Sequence, residues 1–204
     1  MKRHLMGAAL LCAATMFAGA AMAQATTNWY GGAIYSGQPD LALTAALVEA
    51  GGGPEHFEFS KALVTMLGEK TVNAEVAKLT KQYGKENVHT FVTGMTFAVN
   101  DALKRATEKG IKLPAPADLH GTKLAAALVK AGTAPDGTFW SGYLFDHTIS
   151  HELHNQVMMD INDKVGGTQD MVTHYILNQA MYDVAQALGM KNVKLAPHHV
   201  LAKT

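Results

Sequence analysis

From Pro39 onward, apolar positions recur at three- and four-residue spacing, while the alternation that marks a strand is scarce. Pro39-Asp40 makes a good first turn for LALTAALVEA, which Gly51-Gly52-Gly53 ends. Pro54 and Glu55 open a second helix running to about Leu67. A third covers about Val72 to Tyr83 and stops at Gly84, and a fourth runs from Glu86 to Lys109 and stops at Gly110. Two prolines in Leu113-Pro114-Ala115-Pro116 forbid a continuous helix there. The order then replays. A helix from about Asp118 to Ala131 breaks at Gly132, and Pro135-Asp136 opens one long helix from about Thr138 to Val165. Gly166-Gly167 breaks that helix, and a last one reaches Leu188. The pattern predicts an all-α protein.

The replay is also visible residue by residue. LTAALVEAGGGPEHFEFSKAL (Leu43–Leu63) and LAAALVKAGTAPDGTFWSGYL (Leu124–Leu144) match at 10 of 21 positions at an offset of 81. KGIKL and KNVKL continue the match at an offset of 82. A period this long suits a duplicated half-domain rather than a short solenoid repeat. The expected architecture is two similar helical halves, 39–113 and 117–195, packed as one domain about a pseudo-two-fold axis. An N-terminal arm (24–38) precedes them and a tail (196–204), extended at Ala196–His199, follows. At the offset of 81 Gly68 faces Ile149, so the second and third helices of the first half are expected to match one uninterrupted helix in the second.

Lys2, Arg3 and His4 precede an apolar run from Leu5 to Met22, and Ala21-Met22-Ala23 offers small residues where a signal peptidase reads. Residues 1–23 therefore read as a secretory signal peptide, with cleavage after Ala23 and a periplasmic or secreted product. Cys12, the one cysteine, lies inside that segment, and Leu11 before it argues against a lipid anchor. The mature chain is then cysteine-free. That excludes disulfides, thiolate metal sites, cysteine nucleophiles and covalently attached c-type haem. Removing Lys2 and Arg3 leaves 17 − 2 = 15 basic against 17 acidic residues. This balance gives no electrostatic case for nucleic acid or an anionic membrane surface. No stretch after residue 23 is long and apolar enough to span a bilayer.

The sharpest chemistry is DHTISHELH, Asp146 to His154. On a continuous helix His147, His151 and His154 fall within roughly 60° of one another. They share that face with Trp140, Tyr143, Leu144, Met158 and Ile161, so three imidazoles are expected in a core or cleft. Asp146 points about 100° away from them. HELHN is not the H-E-x-x-H protease motif, because Asn155 stands where the second histidine would be. At the offset of 81 the first half carries Met66, Lys70 and Asn73, so the histidines belong to the second half alone. On the last helix, Asn178 comes roughly level with His154, and His174 about one turn nearer the turn, once the chain turns at Gly166-Gly167. The expectation is a hydrogen-bonded histidine network with no cofactor. The alternative is a metal or haem site with His147, His151, His154 and His174 as candidate ligands and zinc, copper or haem b as the group held.

Elsewhere the signals are weak. His89, Thr93, Thr96 and Asn100 read as a solvated face of the fourth helix, and His56 as a surface residue at a helix start. Ser60, Ser141 and Ser150 lack a nucleophile-elbow context, and Gly51-Gly52-Gly53 lacks the strand and lysine of a phosphate loop. The methionines after residue 23 are dispersed like core filler. Two function classes follow. One is an exported, non-catalytic helical protein with no cofactor. It would be an accessory or small subunit, or a binding protein, of a larger periplasmic assembly such as a membrane-bound dehydrogenase. The other is a metal- or haem-binding protein using the histidine face.

Overall fold

The computed structural model describes residues 32–165 and 169–197. The expected signal segment, Trp29, Tyr30 and His198-His199 lie outside the described residues. Eight helices account for nearly all the regular structure described: α1 (Leu41–Ala50), α2 (Phe59–Leu67), α3 (Glu69–Tyr83), α4 (Lys85–Glu108), α5 (Thr122–Gly132), α6 (Ser141–Ile149), α7 (His151–Val165) and α8 (Gln169–Ala187). Two short strands, β1 (Thr138–Phe139) and β2 (Lys194–Leu195), pair in parallel, Thr138 with Lys194 and Phe139 with Leu195. The chain is all-α apart from this clasp, which fixes the segment before the expected tail.

Local chemistry explains most helix ends. Asp40 caps α1, its Oδ1 accepting from the Leu43 N–H at 3.0 Å. The residue before α2, Glu58 (φ −126°, ψ 123°), and the residue before α6, Trp140 (φ −125°, ψ 122°), are both extended. In each case the first helical N–H is held from a distant helix. Phe59 N–H donates to Thr96 Oγ1 at 3.1 Å, and Ser141 N–H donates to Asn178 Oδ1 at 2.7 Å. Thr96 and Asn100 of α4 are therefore not a free solvated stripe. Asn100 Nδ2 donates to the Phe57 carbonyl at 3.1 Å, so both residues anchor the α1–α2 connection, while His89, Thr93 and His56 are exposed as expected.

The expected single helix over 138–165 is two. The chain breaks at Ser150, which adopts φ 79°, ψ 150°. Gly68, between α2 and α3, adopts φ 80°, ψ 148°. The residue with the same backbone angles is therefore residue 150, 82 positions on, and not Ile149. The break was not legible because that backbone region is essentially a glycine preserve, and here a serine occupies it.

One core unites both stretches. The long helices α4 and α8 pack on each other, α4 also packs on α7, and α8 also packs on α5. Phe59, Phe91, Met95 and Ala98 meet Leu124, Leu128, Phe145, Ile176 and Leu177 between them. Each fully buried large apolar side chain contributes about 1.5–3 kcal/mol. Helix α1 is apolar on most of its circumference and mostly buried, whereas α3 buries only Val72 and Leu79 and lies on the surface. Met66, Met95, Met158 and Met181 fill the core, and Met159 is exposed. Among the described residues no helix is long and apolar enough to cross a membrane.

Candidate functional site

The break at Ser150 builds the most concentrated chemistry in the molecule. It turns α7 away from the axis of α6, so that Asp146 on α6 faces the first turn of α7. Asp146 had been expected about 100° off the histidine face; that holds only for a continuous helix. Its buried carboxylate now lies at the centre. Asp146 Oδ1 accepts from His154 Nδ1–H at 2.7 Å and from His151 Nδ1–H at 3.0 Å, and Oδ2 accepts from the Tyr35 N–H at 3.2 Å. An ionised carboxylate can only accept, so each imidazole donates to it from Nδ1, and a neutral ring then has its lone pair at Nε2.

The two lone pairs have different surroundings. His151 is half-buried, and its Nε2 accepts from Asn155 Nδ2 at 3.1 Å. The His154 side chain is 6% exposed, and its Nε2 has no hydrogen-bond partner among the described residues. That ring stacks on Phe145 with centroids 5.1 Å apart and presents its face or edge to His174 at 5.5 Å. His174 lies on α8, 3% exposed, and its Nδ1 shares a 2.7 Å hydrogen bond with Ser141 Oγ. Burial, reinforced by the neighbouring His154, pushes the His174 imidazole down to about 3. It is a neutral ring at any ordinary pH.

His147 does not join the centre. It sits on α6, bonds the Ala131 carbonyl through Nδ1 at 3.0 Å, and stacks on Tyr35 with centroids 4.1 Å apart. The arm residue Tyr35 thus packs against its own domain from both sides, through His147 and through Asp146. Of the four candidate ligands, the fold gathers His151, His154 and His174 and sets His147 aside. Asp146 and Ser141 complete the set. The signal that could have found them is the spacing of 82: it places Ser150 on Gly68 and so reveals the turn that swings Asp146 inward.

The donor atoms of Asp146, His151 and His154 all lie within 4.8 Å of one another. Tetrahedral zinc with bonds of about 2.0–2.1 Å needs ligand atoms roughly 3.4 Å apart. The observed 2.7 and 3.0 Å separations are those of hydrogen bonds. A metal chelated at the two Nδ1 atoms would have to displace both protons and open the cluster by about half an ångström. A metal on His154 Nε2 would leave both Nδ1 bonds to Asp146 in place. Asp146 then stands behind the ring in the carboxylate–histidine–metal arrangement that fixes tautomer and orientation. The His154 ring, stacked on Phe145, edge-on to His174 and 6% exposed, has little room for a haem macrocycle, whereas the His151 side chain is 39% exposed.

No family model matches the chain, no curated protein matches it, and no solved structure matches its fold.

Proposed function

We propose that this is an exported helical binding protein of the periplasm, without turnover chemistry, that holds a divalent transition metal in its second half. It serves as an accessory or small subunit of a larger periplasmic assembly, a membrane-bound dehydrogenase being one such setting. The observation carrying the metal reading is His154 Nε2, a buried lone pair with no partner, on a ring oriented by a buried carboxylate. An unsatisfied buried acceptor costs about 1–3 kcal/mol, and a zinc or copper ion relieves it. His174 supplies a second neutral imidazole beside it. The non-catalytic reading is supported by the burial of Ser141, Asp146 and His174. A substrate has no approach to a serine hydroxyl that is 0% exposed.

The two-half architecture is part of the same proposal. It is supported by α2 and α6, each of 9 residues, and α3 and α7, each of 15, starting 82 positions apart. The paired breaks at Gly68 and Ser150 and the paired long-range caps point the same way. Superposition of 39–113 on 117–195 with a different helix order or direction would defeat it.

The deciding experiment is zinc and copper titration of the purified, chelator-treated protein, followed by elemental analysis. One equivalent is expected in the parent protein. His154→Ala should lose it, and His151→Ala should keep it. Loss on both replacements would move the ion to the Nδ1 chelate. Absence of stoichiometric metal in the parent refutes the reading. The assembly is tested separately, by tagging the exported chain and identifying what copurifies.

A further inference from the structure

Away from the imidazole centre, an apolar slot of about 280 Å³ opens where α1, α4, α6 and α7 meet. Its floor on α4 is made by Val99, Ala102 and Ala106, at i, i+3 and i+7 on one face. The positions 82 further on, along α8, carry Met181, Val184 and Leu188. The floor is low because Ala102 and Ala106 carry single methyl groups. Two threonines in its wall add no polarity. Thr44 Oγ1 donates to the Thr148 carbonyl at 2.6 Å, and Thr148 Oγ1 donates to the Leu144 carbonyl at 2.8 Å. Each spends its hydroxyl on backbone, leaving its methyl group for the cavity. The other polar side chains in the wall are Gln38 and Ser150, and the rest of the lining is apolar, as an apolar guest requires.

The shape narrows the choice of guest. Inward, the slot shares Thr44, Val99, Thr148 and Ile149 with an apolar cavity of about 50 Å³ between the core methionines Met66, Met95 and Met181. Outward, it shares Leu103, Ala106, Ile111 and Leu113 with an open groove of about 560 Å³. A slot bordered at the surface by a wider open groove suits a linear chain with a larger head. The groove carries Lys104, Glu108 and Lys112. Lys104 and Glu108 pair with each other at 3.9 Å, while Lys112 is exposed and forms no ion pair among the described residues. The rim is therefore cationic where the head would lie.

We propose that this slot binds a single-chain anionic amphiphile, a medium-chain carboxylate with its tail between α4 and α6–α7 and its carboxylate at Lys112.

The test is calorimetric titration of the delipidated mature protein with straight-chain carboxylates from hexanoate to dodecanoate. Affinity should rise about fourfold per added methylene and level off once the tail fills the slot. Replacing the floor with the α8 residues, Ala102→Val with Ala106→Leu, should weaken decanoate at least tenfold without lowering the melting temperature. If that pair misfolds, Val99→Met provides the same obstruction nearer the core. Lys112→Gln should weaken decanoate severalfold and leave decanol unchanged. Affinity independent of chain length, or unaltered by the filled floor, overturns the proposal. Equal loss of decanol and decanoate in Lys112→Gln overturns the placement of the head.

Discussion

Ser150→Gly should make this protein more stable, although it removes a side chain and adds a flexible residue. Ser150 is the one described non-glycine residue with positive φ, at 79° with ψ 150°. That region costs a residue with a Cβ about 1–3 kcal/mol. Two terms oppose the gain. The Ser150 Oγ accepts only a long 3.4 Å bond from the Leu153 N–H, and exchanging a serine cap for glycine costs a few tenths of a kcal/mol. Glycine also loses about 0.4–1 kcal/mol through the greater freedom of the unfolded chain. The net expectation is about 1 kcal/mol of stabilisation, or roughly 2–4 °C in a domain of this size. The reverse replacement, Gly68→Ser, puts a Cβ at φ 80°, ψ 148° and should lower the melting temperature by a similar or larger amount. Thermal unfolding by calorimetry or circular dichroism, with a urea titration for each variant, reads both. A Ser150→Gly protein no more stable than the parent, beside a harmless Gly68→Ser, would show that the break carries no strain and refute the argument.

Asn178→Ala removes the acceptor of the buried Ser141 N–H and should cost about 1–3 kcal/mol in urea unfolding. Thr96→Val, acting on the less enclosed Phe59 N–H, should cost less; the opposite ranking would count against burial as the cause. Asp146→Asn leaves two imidazole N–H groups and the Tyr35 N–H facing an amide and should cost about 2–4 kcal/mol. Its signature is loss of protection of the Tyr35 amide in hydrogen exchange, and unchanged protection would be contrary. His174 has a folded value of about 3, well below its ordinary 6.5. The unfolded chain binds the extra proton between them, so the stability from keeping this ring neutral is complete above about pH 6.5 and declines as pH falls toward 3. The slope is about 1.4 kcal/mol per pH unit. Glu75 acts oppositely, because burial and its bond to Asp183 raise it to about 7. The His174 slope should therefore be read in a Glu75→Gln background, and a flat profile from pH 6.5 to 4.5 in that background would contradict it.

The helices were legible because their signals are local. Asp40 caps α1 whatever surrounds it, and Pro114 and Pro116 break the chain by their own covalent geometry. The apolar spacing of α4 and α8 predicts two long buried helices, and the core joins them. The histidine face was legible only as a list of residues. Its geometry hung on one dihedral angle at Ser150, which no propensity foretells, because a serine is held there by the packing of α6 and α7 rather than by its own preference. That single turn separated His147 from His151 and His154 and brought Asp146 beneath them. The Ser141–His174 bond required α8 to fold back over α6, a contact spanning 33 residues. Thr96 and Asn100 looked solvated because helical periodicity shows which positions share a face and not what later covers it. Side-chain identity and spacing along a helix were thus settled by the sequence. Which nitrogen faces which oxygen was decided by helix directions that only the assembled core imposes.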